Sequence, residues 1–137
     1  MTEFPVSIYT AEEPLYEGPC EALTVPMVDG QFGILAHHTN MMGGIVPGTL
    51  TYQLPGGEKK VAAVSYGILK VENGEALLLV DSAEHWEDID LKRAQRDAEE
   101  AKRILSEKRS QQEYEAARID LARAINRLRV HHRHREE

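Results

Sequence analysis

The chain has 137 residues, 42% of them apolar and 28% charged, with a formal net charge of −7. That length accommodates one compact domain plus a smaller appendage, so two domains are the upper limit. The sequence opens with no basic segment followed by an apolar one, and no apolar run reaches the roughly 18 residues of a membrane-spanning helix, so neither export nor membrane insertion is expected.

In chain order, the first 85 residues read as short strands separated by turn chemistry, with Gly and Pro concentrated there. Val6 and Ile8 alternate with polar neighbours, Ala22 to Met27 and Val61 to Val64 are short apolar runs, and Ala76 to Val80 is a continuous one. Cys20, the single cysteine, excludes an internal disulfide and reads as a small, half-buried packing residue beside Pro19. Pro55-Gly56-Gly57 joins Thr49 to Leu54 with Lys59 to Val64 as a loose hairpin. Asn73-Gly74 between Ile68 to Val71 and Ala76 to Val80 suits a type I′ turn, whose two central residues need positive φ. Many short strands at close spacing predict a sandwich or barrel, not a parallel sheet with crossover helices.

After His85 the apolar period changes from two to about 3.6 residues, which places the domain boundary between 1–85 and 86–137. Glu87, Asp88 and Asp90 supply an acidic first turn and a candidate N-cap. Leu91, Ala94, Ala98, Ala101 and Leu105 then form one narrow seam. Ser106 to Gln112 interrupts it, and Ser110 with Glu113 fits the capping box that starts a second helix. Tyr114, Ala117, Leu121, Ala124 and Leu128 repeat the same steps, so two seams of equal length predict an antiparallel helical hairpin. Its inner positions are mostly alanine, which contributes far less on burial than leucine; a close-packed hairpin and a detachable one both fit. His131-His132-Arg133-His134-Arg135 reads as a frayed helix end.

Charge divides along the same boundary. Up to His85 there are eleven acidic and three basic residues, a net of −8; from Trp86 there are twelve and thirteen, a net of +1, with six arginines from Arg118 to Arg135. An acidic body with an arginine-rich end points to an acidic partner or to phosphate at that end. Nucleic acid is disfavoured because no aromatics interleave with the basic residues.

No phosphate loop, nucleophile elbow or zinc-protease motif occurs. His37 and His38 are adjacent and read as surface or interface histidines, and with His85 they provide no H-x-H pair of the kind a cupin metalloenzyme needs. Two helical pairs remain, Asp90 with Arg93 and Arg123 with Arg127, each sharing one face. They read either as solvated ion pairs or as guanidinium forks for phosphate oxygens beside a carboxylate that accepts from an amine or hydroxyl.

The segment Asp29-Gly30-Gln31-Phe32-Gly33-Ile34-Leu35-Ala36-His37-His38 resembles the G-x-[FL]-G-[IV]-L-P-x-H loop of ATP synthase ε subunits. Pro47-Gly48-Thr49-Leu50, Ser65-Tyr66-Gly67-Ile68-Leu69-Lys70-Val71, Ile89-Asp90-x-x-Arg93-Ala94 and Arg123-Ala124-Ile125-Asn126-Arg127-Leu128 follow in that family's order, so the resemblance spans the chain. It implies an all-β sandwich of about ten short strands, which clamps the γ subunit and touches the c subunits of the membrane rotor ring, followed by an α-helical hairpin. In the loop, Asp29, Gln31, Phe32 and His38 would meet these partners. The resemblance also implies a mobile hairpin that reaches the α and β subunits, where Arg118, Arg123, Arg127 and Arg129 would dock on acidic surface and impede ATP hydrolysis. ATP is implied as a regulatory ligand of the folded hairpin, on Ile89, Asp90, Arg93, Arg123 and Arg127, with no cofactor required and no catalytic site. The expected location is the cytoplasmic face of a bacterial membrane, peripheral, through the complex. Ala36 and Tyr66 depart from the family's proline and glycine, and Glu100 stands where nucleotide-binding members carry a further arginine, with Arg96 and Arg103 about a turn either side. The rival reading is a stand-alone β-sandwich binding module with a helical dimerisation tail, to which a total of eight aromatic residues gives little support.

Overall fold

The computed structural model describes residues 2–135. They fall into two compact units, the first ending at His85 and the second beginning at Trp86.

Ten strands occur among the described residues of the first unit: β1 Phe4–Tyr9, β2 Pro14–Cys20, β3 Ala22–Met27, β4 Gly30–Ile34, β5 Met41–Ile45, β6 Gly48–Gln53, β7 Lys59–Val64, β8 Gly67–Glu72, β9 Glu75–Val80 and β10 Ala83–His85. They pair in the order β10-β7-β6-β3-β5-β8-β9-β1-β2, with β4 on β3, to make the sandwich. The alternation read from β1 places Phe4, Val6 and Ile8 inward. Leu23, Val25, Leu50, Tyr52, Leu69, Val71, Leu78 and Val80 meet them in one core. Cys20 is fully buried in that core, deeper than its position beside Pro19 suggests, because it ends β2 opposite Phe4.

Turn residues set the registers. Asn73 (φ 53°) and Gly74 (φ 78°) occupy the left-handed region that the β8–β9 hairpin demands, and Glu72 then faces Glu75. At Gly67 the constraint is close approach: a Cβ there would lie 2.2 Å from the Leu79 carbonyl oxygen, so the start of β8 can pass β9 only without a side chain. One pairing differs from the antiparallel expectation. β1 lies parallel to β9, Val6 opposite Ala76 and Ile8 opposite Leu78. The strands between them in sequence serve as the crossover, so no helix is needed.

The second unit contains a 3₁₀ turn, Trp86–Asp88, then α1 Leu91–Leu105 and α2 Gln111–Arg135. Asp90 is the N-cap of α1, its Oδ1 accepting from the Arg93 N–H at 3.0 Å. The predicted seams meet: Ala94, Ala98 and Ala101 of α1 and Ala117 and Ala124 of α2 are buried, while Leu91, Leu105, Tyr114, Leu121 and Leu128 are half-buried at the edges. Ser110 caps α2, its Oγ accepting from the Glu113 N–H at 3.2 Å and donating to the Glu113 carboxylate at 3.1 Å.

The helices are unequal, 15 against 25 residues, because the stretch expected to fray is helical as far as Arg135. The Trp86 ring explains why: its centroid lies 6.1 Å from that of His131 and 6.3 Å from that of His134, so the added turns pack on the segment that precedes α1. Asn126 and Val130, four apart and on a different side of α2 from Ala124, are also buried, giving α2 a second stripe.

Candidate functional site

Two surfaces have the chemistry of recognition, one on each unit. On the sandwich, β5, β8 and β9 lie side by side with Gly44 opposite Ile68 and Ile68 opposite Leu79. Their inward neighbours Ile45, Leu69 and Leu78 belong to the core, so Met42, Ile68 and Leu79 must point outward. Met42 is 67% exposed, Ile68 49% and Leu79 48%. Val28, 72% exposed, extends the patch, since a Cβ at Gly44 would lie 3.7 Å from its Cγ2. Tyr66, at the turn into β8, is exposed as well. Lys70, opposite Met42 and Leu77 in register, is paired with Glu72 at 2.8 Å, so a neutralised flank accompanies the apolar strip. Contiguous exposed apolar side chains on a sheet face are a recognition surface.

The β3–β4 hairpin carries the loop singled out in the sequence. Val28 and Asp29 lie in its turn, and Gln31 and Phe32 pair with Pro26 and Val25. Phe32 stands edge-on to His38 with centroids 5.6 Å apart, and the His38 Nδ1 lies 2.8 Å from the Thr39 carbonyl oxygen. His37 takes φ 68° between them, in a turn that it shares with Ala36. The structure therefore brings Phe32 and His38 together and leaves Asp29 and Gln31 exposed on the same hairpin. Sequence reasoning missed Val28, Met42, Ile68 and Leu79. The signal was present in the unbroken apolar run Leu77-Leu78-Leu79, because a strand with consecutive apolar residues exposes half of them unless both faces are covered.

On the hairpin, Arg123 and Arg127 line a cavity of about 240 Å³ between α1 and α2, facing Asp97, Glu100 and Asp120 over a floor that includes Ala101 and Ile104. Arg127 crosses to α1, its Nη1 lying 3.5 Å from the Asp97 Oδ2, and Arg123 lies 3.9 Å from Asp120 one turn back on α2. Glu100 is gripped by Arg103 through two hydrogen bonds, of 3.1 and 2.5 Å, and this holds its carboxyl below the usual glutamate range. Arg93 lines a second, more open groove on α1 with Lys92, Arg96 and Glu99, and Asp97 and Glu100 border both spaces. Asp90 is committed through one oxygen to capping α1, and Ile89 is buried. Arg127 is thus level with Asp97, one turn beyond Arg93, and Arg123 lies a further turn along, so the centres of the two pairs sit about two turns apart along the hairpin. Arg118 is paired with Glu115 at 2.9 Å, and Arg129 is exposed.

These features define a class of protein, a β-sandwich with an exposed apolar strip followed by an alanine-seamed helical hairpin. The family model for the β-sandwich domain of the ATP synthase delta/epsilon chain matches residues 3–86, and that for its long α-helix domain matches 87–131. The chain is 34% identical to an ATP synthase epsilon chain of Caldicellulosiruptor bescii over 100% of its own length and 99% of the relative's. It is 31% identical to that of Chromohalobacter salexigens over 100% and 97%. Among solved structures, a chain of the Euglena gracilis mitochondrial ATP synthase shares the fold with a TM-score of 0.77 at 22% identity, over 92% of this chain and 79% of that one. The chain belongs to the ATP synthase delta/epsilon-chain family, as an epsilon chain, a stalk subunit without a catalytic centre of its own.

Proposed function

We propose that the sandwich couples the membrane rotor ring to the catalytic head by docking on the γ subunit through the Val28, Met42, Tyr66, Ile68 and Leu79 strip. Asp29, Gln31, Phe32 and His38 on the adjoining hairpin meet γ and the polar loops of the c subunits. The exposed apolar strip carries this reading: it has the make-up of an interface centre, and the charged flank beside it is already neutralised. No described helix is long and apolar enough to cross a membrane, so membrane association in this reading comes through the complex, on the cytoplasmic face of a bacterial membrane.

The hairpin is the regulatory part. In its released state it reaches the α and β subunits, and Arg118, Arg123, Arg127 and Arg129 dock on acidic surface and slow ATP hydrolysis. In its folded state it takes ATP as a regulatory ligand, with the phosphates on Arg123 and Arg127 and the remainder toward Arg93, Asp90 and Ile89. At about 240 Å³ the cavity falls below the roughly 300 to 1,000 Å³ of ordinary small-molecule sites, which suits a phosphate group with the base outside.

Replacing Ile68 and Leu79 together by aspartate tests the docking strip. Both side chains are already exposed, so folding should survive, whereas burying two carboxylates at the centre of an interface should weaken γ binding by about a hundredfold or more. Unchanged γ affinity with normal folding would move the interface elsewhere.

A further inference from the structure

We infer that Asp97 is an internal counter-ion for Arg127, which holds the two helices together in the absence of nucleotide and competes with phosphate for the same guanidinium. The competition rests on the phosphate-binding role proposed above; the holding does not.

The geometry assigns the role to Asp97 in particular. Arg127 belongs to α2 and Asp97 to α1, so their contact at 3.5 Å bridges the seam, whereas Arg123 with Asp120, Arg118 with Glu115 and Lys102 with Glu99 each join residues of one helix. The Arg127 side chain is only 15% exposed, which strengthens its pairing relative to those at the surface. The seam beneath is largely alanine, so a charge pair across it is a larger share of the helix-to-helix attraction than it would be over leucines.

Competition follows from the charge lining the cavity, which holds three carboxylates and two guanidiniums. A polyphosphate entering such a space meets a net negative wall unless a carboxylate withdraws. Glu100 is fixed by the Arg103 fork and stays ionised. Asp97, half exposed at 3.5 Å from Arg127, and Asp120, more exposed at 3.9 Å from Arg123, are the groups that can leave, and of the two Asp97 is the one whose contact crosses the seam. Phosphate would then replace one bridge across the seam by another. Nucleotide and Asp97 are alternative clasps of one hinge, while Glu100 stays on its own partner, Arg103.

Two measurements on the full-length chain test this, with Asp97→Asn to remove the charge and Asp97→Glu to keep it. Without nucleotide, hydrogen exchange at the amides of Ala98, Ala101, Ala117 and Ala124 should quicken by about three- to tenfold in Asp97→Asn, remain near native in Asp97→Glu, and lose its salt sensitivity only in the asparagine variant. By calorimetry, Asp97→Asn should bind ATP and inorganic tripolyphosphate about tenfold more tightly than the native chain, between the aqueous and part-buried limits for one like charge. Native exchange and native affinity in Asp97→Asn together overturn the inference. Faster exchange with no binding of either polyphosphate to any variant at millimolar concentration keeps Asp97 as the clasp, and overturns both the competition and the proposed nucleotide role.

Discussion

The two units bury different kinds of side chain, and the difference sets how much each gains from its own packing. The sandwich closes over Ile8, Leu23, Ile34, Leu50, Tyr52, Leu69 and Leu78, each at most 2% exposed, and fully burying a side chain of that size contributes roughly 1.5 to 3 kcal/mol. The hairpin seam offers Ala94, Ala98, Ala101, Ala117 and Ala124, which contribute a fraction of that. An isolated helix of about 15 residues is marginal in water, so α1 depends on caps, on the turn and on pairs such as Arg127 with Asp97. Alanine also lets two helix backbones approach closely. The two helices are therefore closely fitted to one another while gaining little from the side chains they bury.

The sharpest way to break this comparison is to hollow each unit in turn. Leu78→Ala removes a fully buried side chain from the centre of the sandwich and should cost about 2 to 5 kcal/mol in denaturant unfolding. Truncation after His85 should leave the midpoint of the remaining sandwich near its native value, because the core lies wholly within the first unit. A large loss of stability on truncation would show that the hairpin is a structural part of the sandwich.

Cys20 gives a smaller effect within the same unit. Burial pushes its thiol up to about 11, a rise only partly opposed by a hydrogen bond with Tyr16. At pH 8 very little thiolate exists, so native protein should react with an aromatic disulfide reagent at least tenfold more slowly than unfolded protein does. Cys20→Ser should cost about 1 to 3 kcal/mol by burying a hydroxyl, and Cys20→Ala less than that. Rapid native labelling would mean that β2 opens from β1 far more readily than its register with Phe4 indicates.

Local chemistry was legible in the sequence, and long-range contact was not. The Asn73-Gly74 turn, the Ser110 and Glu113 capping box and the alanine seams are written in neighbouring residues, and each appears in the structure. The parallel pairing of β1 with β9 joins strands nearly seventy positions apart, and no local period encodes it. The length of α2 depends on Trp86, which lies 45 residues before His131. Charge at the site followed the same division: Glu100 stood out as a departure, whereas the partnership of Asp97 with Arg127 depends on the register of two helices, which their seams fix only to within a turn.

The smallest expected effect lies in the turn between the helices, which is stiffened by charge. Arg103 donates to Glu100 and, at 2.5 Å, to Glu107; Arg109 donates to Glu107 at 2.6 and 2.9 Å and to Glu113 at 2.9 Å; and the Tyr114 hydroxyl donates to the Glu107 carbonyl oxygen. Hydrogen bonds from Arg103 hold the Glu100 carboxyl below its usual range, and hydrogen bonds from Arg109 do the same for Glu107 and Glu113. A carboxyl depressed on folding adds stability that is complete above its unfolded value, about 4.3 for glutamate, and that is lost as pH falls through the folded value. The helical melting midpoint should thus stay flat from neutral pH down to that range and fall below it. Because all three carboxyls are at the surface, the fall should be modest, and added salt should reduce it. Glu107→Gln removes the shared negative charge and should make the acid limb shallower, leaving the share of Glu100 and Glu113, without altering the sandwich transition. If the native chain and Glu107→Gln lose helix in parallel on acidification, the turn is held by Ser110, Tyr114 and backbone geometry alone, and the arginines on either side are free for other partners.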